Sequence, residues 1–325
     1  MNLTVYPINQ QELTELMLED APKLGWYYSP EDIEFYFNHR GNRIFAIRVN
    51  TVLAGVVILH RSLSYRYNNP VYSVGFFLVR EQYRGKKLVG PKLWHEAITV
   101  NLTAKDLVCF HSAERAINYY EKLGFKKTPF IDLLYVLNIN NLDKNQFKST
   151  GDALATGVLK QIKPSEFKDI DHYNKDLFCG SLGLGFCEFI DDWMQRSDAT
   201  IVAYYEQEKL AGYGISTICQ RTKKIGYRIS PLYANNSLIA RTLLKGLVYL
   251  AYQNQGQLLE LNTPASNNRE FRQILQDLGF VEDKGGRSII VCNQAELIHE
   301  NSAIAQKKFC CLPLEYPPEI IMGLD

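Results

Sequence analysis

Apolar residues recur along the chain in two alternating rhythms, helical spacing and short β-branched or aromatic runs, and the whole succession occurs twice. In the first half, PEDIEFYFNHR (30–40) reads as a helix, while NRIFAIRVN (42–50) and TVLAGVVILH (51–60) read as strands. VYSVGFFLV (71–79) is a further apolar strand, and PKLWHEAI (91–98) sets Leu93, Trp94, Ala97 and Ile98 at helical spacing. DLVCFH (106–111) reads as a strand, and YEKLGFKK (120–127) follows. The second half offers FCEFIDDWMQR (186–196), ATIVAYYEQ (199–207), KLAGYGISTI (209–218) and LQDLGFVED (275–283) in the same order.

Two anchors share nearly one register. Leu53-Ala54-Gly55 and Leu210-Ala211-Gly212 lie 157 residues apart, and Gly124-Phe125 and Gly279-Phe280 lie 155 apart. This argues for a duplicated domain. The intervening NINNLDKNQFKSTGDALATG (138–157) is polar and turn-rich, as a linker should be, and places a boundary near residue 150. The expected units are 1–150 and 151–325. Each reads as an opening strand, one or two helices, three strands, a helix, a strand, a helix and closing strands. Such an order mixes an antiparallel meander with βαβ, so the class is α/β or α+β with a mixed sheet.

Composition narrows the chemistry. The 325 residues exceed one ordinary core, and 46% hydrophobic residues supply apolar surface for two. Lys plus Arg (36) nearly cancels Asp plus Glu (35), so no net field recruits nucleic acid or an anionic membrane. The N-terminal residues lack a signal-peptide pattern, and no apolar run reaches the roughly 18 residues of a membrane span, which points to a cytoplasmic protein. Seven cysteines without CxxC spacing and six scattered histidines indicate neither a disulfide framework nor a metal site.

One stretch concentrates charge. VREQYRGKKLVGP (79–91) joins an apolar strand to a helix through a basic turn. A turn of this kind aims unpaired backbone N–H groups at one point, where the helix dipole reinforces them, and an anion is the natural guest. Arg84, Lys86 and Lys87 add charge, Gly85 can adopt conformations closed to other residues, and Pro91 is tolerated in a first helical turn.

VREQYRGKKLVGPKLW resembles motif A of the GNAT superfamily of N-acetyltransferases, whose usual form is V-x-P-E-Y-R-G-K-G-x-G-x-x-L. AERAINYYEKLGFKK (113–127) resembles motif B, with Ala116, Tyr120, Gly124 and Phe125 in place. The resemblance implies two tandem GNAT-like domains, each a mixed, mostly antiparallel twisted sheet flanked by helices, with Phe125 opening the strand that closes the first. It implies that Arg84, Gly85, Lys86, Lys87, Leu88 and Val89 hold the pyrophosphate of acetyl-CoA or a related acyl-CoA. Leu78 and Val79, on a bulged strand, would offer main-chain contacts to the pantetheine arm, and a backbone N–H near Val79 would polarise the thioester carbonyl.

The chain departs from the motifs at several positions. Lys87 stands where the family has Gly, Val89 where it has Gly or Ala, and Ala113 where motif B has Asn. A bulky Val89 would cost about 1–3 kcal/mol if the site could not relax. Each amide or Lys bond to phosphate is worth roughly 1.5–3 kcal/mol, so the balance is weakened rather than abolished binding. The second half has YRISPLYANNSLIARTLL (227–244) at the corresponding turn, without glycine and with no basic cluster beyond Arg228, and keeps Asn268 but has Leu275 at the tyrosine position. It reads as a degenerate domain that shapes the acceptor cleft or supports the first.

The function implied is N-acyl transfer, most simply acetyl, to a primary amine on a small molecule or peptide, without metal. A lysine-like amine is neutral in only about one part in a few thousand at pH 7, so a base helps. Tyr120 is implied as the proton donor to the leaving sulfur. His111, at a strand end that opens toward the thioester in GNAT folds, is the foremost base candidate; His60, Glu34 and a water chain remain open. The rival readings are a non-catalytic CoA sensor or protein-binding scaffold and a purely structural tandem domain.

Overall fold

The computed structural model describes residues 1–64, 70–85, 88–142, 157–163, 166–178, 184–220, 225–265, 269–294 and 309–311. Most of the expected linker (143–156), together with Lys86, Lys87 and Asn268, lies outside the described residues.

The first half contributes β1 (Leu3–Pro7), α1 (Gln10–Glu15), α2 (Pro30–Asn38), β2 (Asn42–Val49), β3 (Val52–Ser64), β4 (Val71–Val79), α3 (Val89–Ala97), β5 (Leu107–Ala113), α4 (Ile117–Glu121) and β6 (Lys126–Asn138). The second contributes β7 (Gly157–Ile162), α5 (Phe167–Phe178), β8 (Leu184–Gly185), α6 (Phe186–Met194), β9 (Thr200–Glu206), β10 (Lys209–Cys219), β11 (Gly226–Ala234), α7 (Ser237–Gln253), β12 (Leu258–Pro264), α8 (Arg269–Asp277), β13 (Val281–Cys292) and β14 (Phe309–Cys311).

These strands join in one sheet of order β1-β2-β3-β4-β5-β13-β6-β12-β11-β10-β9-β7. Neighbours on this path are antiparallel except β4–β5 and β11–β12, which are parallel. The expected mixed, mostly antiparallel sheet is therefore present. The closing strands differ from a reading in chain order. β6 does follow Phe125, but it pairs with β12 of the second half, and β13 of the second half pairs with β5 of the first. Each half thus lends a long strand to the other, β6 from the first and β13 from the second, and the two meet along the seam.

The repeated sequence anchors have local physical causes. At Leu53-Ala54-Gly55 the ladder with β2 skips one residue, and at Leu210-Ala211-Gly212 the ladder with β9 does the same. A side chain on Gly55 would meet the Leu78 carbonyl at 2.6 Å, and one on Gly212 would meet the Tyr233 carbonyl at 2.7 Å. Only glycine lets these backbones approach. Gly124 (φ +92°) and Gly279 (φ +88°) end α4 and α8 in left-handed geometry. In both, the following phenylalanine N–H donates five residues back, Phe125 to Tyr120 and Phe280 to Leu275. This is the glycine-terminated helix end that satisfies orphan carbonyls.

Helices cover both faces. α1, α2, α5 and α6 share one core, in which Phe35 of α2 meets Trp193 of α6 edge-on at 4.8 Å. On the other face, α3 and α4 pack over β2–β5, while α7 and α8 pack over β9–β12 and β6. α2 begins with a capping box, Ser29 and Asp32 each accepting from the other's backbone N–H, and Pro30 occupies its first turn. Asp32 also receives Arg196, whose Nη1 lies 2.7 Å away, while Asp198 takes the other side of the guanidinium at 2.9 Å. Burial opposes the Arg196 charge, and the two carboxylates override it, raising its pKa.

Candidate functional site

β4 and β5 pair only at Val71–Leu107 and Tyr72–Val108 and then part. Beyond the last pair, β4 carries an irregularity: Phe76 and Phe77 stand opposite Val57 alone, and Phe76 has φ +46°. Two residues against one is a β-bulge, which bends a strand and withdraws backbone groups from the ladder. Past the bulge, Leu78 is buried and aligned with Val56, and the Arg80 N–H donates to Ala54 on β3. Alternation then turns the Val79 N–H and C=O away from β3, into the gap between β4 and β5.

The Val79 carbonyl is met by Arg84, whose Nε donates to it at 2.6 Å. Gly85 is left-handed (φ +73°) with open space where a side chain would be. Leu88 is exposed at the cap position of α3, supplies no side-chain cap, and no acidic residue occupies the first turn. The first helical bond runs from Lys92 N–H to Leu88 C=O, so the amides from Leu88 to Gly90 have no intrahelical acceptor to reach. Val89 is 1% exposed and packs into the apolar core beneath the helix, so its bulk is directed away from the loop mouth.

Tyr120 sits in an aromatic cluster on the α3/α4 face, 4.7 Å from Phe110 and 5.4 Å from Trp94 between ring centroids. Burial, with the neighbouring Tyr119 adding to it, raises the Tyr120 pKa, so its hydroxyl stays protonated across the neutral range. Tyr119, which the sequence reading did not single out, stacks on Phe77 of the bulge at 6.3 Å, and its hydroxyl is buried without a hydrogen-bond partner among the described residues. The doubled Tyr-Tyr was the available signal.

His111 lies on β5, opposite Ile290 of β13, with its side chain 5% exposed. Its Nδ1 is 2.9 Å from Asp132 Oδ2 on β6 and 3.3 Å from Ser288 Oγ on β13. Asp132 was also missed in sequence, although a carboxylate inside the apolar run Ile131-Asp132-Leu133-Leu134 marks a residue with a partner to find. The other base candidates lie elsewhere. Glu34 is exposed on α2. His60 is buried on β3 with Nδ1 2.8 Å from Asn42 Oδ1, and burial, then His39, hold its pKa well below the ordinary imidazole value. Among the described residues no cluster of metal ligands occurs, Cys109, Cys219 and Cys292 are buried free thiols, and no helix is long and apolar enough to cross a membrane.

The second half repeats the frame with different fittings. β11 and β12 pair from Gly226–Leu258 to Ile229–Leu261 and then part. Ser230 and Pro231 occupy its bulge, opposite Ile215, and Pro231 has no N–H to offer. Asn236 caps α7, its side chain accepting from Ile239 N–H at 2.9 Å. β14 pairs with β11 at Leu232, Tyr233 and Ala234, immediately past this bulge.

Comparison with known proteins agrees with this duplicated frame. The Acetyltransferase (GNAT) family matches residues 10–125, and the Acetyltransferase (GNAT) domain matches residues 183–303. Among solved structures, a protein of Pyrococcus horikoshii assigned as an acetyltransferase aligns over 96% of this chain and 95% of its own with a TM-score of 0.65 at 12% identity. A GCN5-related N-acetyltransferase from Anabaena variabilis aligns over 90% of this chain and 72% of its own (TM-score 0.55, 12% identity). At such identities the likeness is one of fold. The chain also matches uncharacterized protein F36G3.2 of Caenorhabditis elegans, 25% identical over 181 residues, and the match spans about half of each chain (54%). With a GNAT match in each half and a GNAT fold throughout, the chain belongs to the GNAT superfamily of acyltransferases.

Proposed function

We propose that the cleft between β4 and β5 binds an acyl-CoA, most simply acetyl-CoA, and transfers its acyl group to a primary amine on a small molecule or peptide. The observation that carries this reading is the bulge at Phe76 beside parted strands, leading through left-handed Gly85 to a helix start without a side-chain cap. In this reading Arg84, Gly85, Lys86, Lys87, Leu88 and Val89 hold the diphosphate through backbone amides and charge. Leu78 and Val79 line the pantetheine arm, with the Val79 amide as its main-chain partner. A backbone N–H freed at the bulge polarises the thioester carbonyl.

The reaction forms one C–N bond and breaks one C–S bond. The amine loses a proton, assigned to His111, and the departing thiolate gains one, assigned to the Tyr120 hydroxyl. A thiol has an ordinary pKa near 8.5, so the donor's contribution is modest, whereas deprotonating an alkylammonium at neutral pH makes the base the larger contributor. Residues 1–150 form the working unit in this reading. Residues 151–325 form a degenerate partner, supported by the Asn236 cap, the prolyl bulge and the coverage of β11 by β14.

Isothermal titration with acetyl-CoA tests binding, and an Arg84→Ala/Lys87→Ala variant should lose most of the affinity. Free-thiol release across a panel of primary amines then tests catalysis. A CoA sensor is the second reading, favoured by the Arg84 side chain resting on the Val79 carbonyl, which the arm must displace; binding without thiol release from any amine would select it.

A further inference from the structure

Asp132 is a carboxylate buried with few partners among the described residues. It lies on β6, deep in the seam where the exchanged strands meet, with its side chain 1% exposed. Neither carboxylate oxygen has an aligned hydrogen bond among the described residues, and His111 Nδ1 lies 2.9 Å from Oδ2. His111 in turn keeps Nε2 buried and without a partner among the described residues. Burying a carboxylate is costly unless it is paired, and a pair that also leaves an imidazole nitrogen unsatisfied is poor as a purely structural staple.

The placement of the pair explains the arrangement. Val108 is the last residue of β5 aligned with β4, at Tyr72, so His111 stands level with Gly75, one residue before the Phe76 bulge. Side chains alternate along a strand. Phe110 packs against Tyr120 on the α3/α4 face, whereas Cys109 belongs to the core under α1 and α2, and His111 shares the Cys109 side. Two successive residues of β5 therefore border the parted strands from opposite faces, one touching the assigned proton donor and the other being the assigned base.

We propose that Asp132 is the positioning residue of the first cleft: its carboxylate accepts a hydrogen bond from Nδ1–H of His111, fixes the tautomer whose Nε2 carries a lone pair, and stabilises the imidazolium formed when the acceptor ammonium gives up its proton. The inference rests on the acyltransfer reading above. Asp132 reaches the site from a strand that pairs with β12 and β13 of the second half and not with β5, and Ser288 of β13 flanks the same nitrogen. The first cleft is complete only when both halves are folded together.

The wild-type full chain, labelled with 15N-histidine and observed by NMR at a pH where an imidazole is neutral, should show His111 protonated on Nδ1 and not on Nε2. In Asp132→Asn that preference should be lost, kcat for thiol release should fall about 10²-fold, and KM for acyl-CoA should stay within about twofold. Ser288→Ala should leave the tautomer intact. An Nε2-protonated His111 in the wild type overturns the proposal whatever the variants do, and so does an unchanged kcat in a folded Asp132→Asn protein. Failure of the wild type to bind acyl-CoA would instead overturn the function assigned to the cleft, and the tautomer measurement does not depend on it.

Discussion

The guanidinium of Arg84 turns back along its own loop so that Nε donates to the carbonyl of Val79 at 2.6 Å. The same side chain is assigned to the diphosphate and the same carbonyl faces the gap meant for the pantetheine arm, so ligand-free and bound states compete for both groups. Arg84→Ala should therefore lose charge-assisted contacts worth about 1.5–3 kcal/mol, reduced by the cost of breaking the internal bond. Calorimetry should show acetyl-CoA affinity falling by about tenfold, with a weaker dependence on salt than the wild type.

An acid at the head of α3 should separate helix stability from ligand binding. Leu88 offers no cap, and Leu88→Asp would supply one, adding about 0.5–1 kcal/mol to stability through the cap and the dipole. The same carboxylate would occupy the amides assigned to phosphate and repel it. The expected outcome is a raised melting temperature with reduced acetyl-CoA affinity. The mirror experiment, Asn236→Ala on α7, should cost about 1 kcal/mol and leave acetyl-CoA binding unchanged.

Removing Arg196 should be severe. Its guanidinium is held between Asp32 and Asp198 with little exposure, so Arg196→Leu strands two buried carboxylates. A loss of about 3–5 kcal/mol is expected in urea unfolding. Because Asp32 also caps α2, and Arg196 follows α6, the loss should appear as one cooperative transition rather than as loosening of one half.

Tyr120 should give a graded kinetic effect and a signed pH effect. Tyr120→Phe removes the assigned donor but keeps the aromatic packing, so thiol release should slow by roughly 10–10²-fold without stopping. The folded-state pKa of Tyr120 is raised by burial and by Tyr119. Its contribution to stability is thus complete below the unfolded value near 10 and is lost as pH rises toward the folded value, because the unfolded chain ionises first. Unfolding measured from pH 9 to 11 should be less alkali-sensitive in Tyr120→Phe than in the wild type.

Much of the fold was legible because glycine and apolar periodicity leave local marks. The Leu-Ala-Gly and Gly-Phe anchors were visible since a bulge with close backbone approach and a left-handed helix end each demand glycine at one position. Strand exchange left no mark of that kind. β6 and β13 both end on apolar stretches, and nothing local distinguishes a strand that pairs with β5 from one that pairs with β12. In the site, the basic turn was legible and the carboxylate behind His111 was not, since Asp132 comes near it only through β13. Glu34 had a suitable position along α2 but faces solvent, a distinction of helical phase that spacing alone left open.

The exchange of β6 and β13 between halves also bears on biosynthesis. A ribosome delivers β5 long before β13, and Cys109 finds its register partner Cys292, 183 positions further along, only once that stretch has been made. Until then the nascent N-terminal sheet has a bare rim of amides and carbonyls, an invitation to stray pairing that chaperones must shield. Splitting the gene at the midpoint would make that exposure permanent, and the two fragments should be soluble only when produced together.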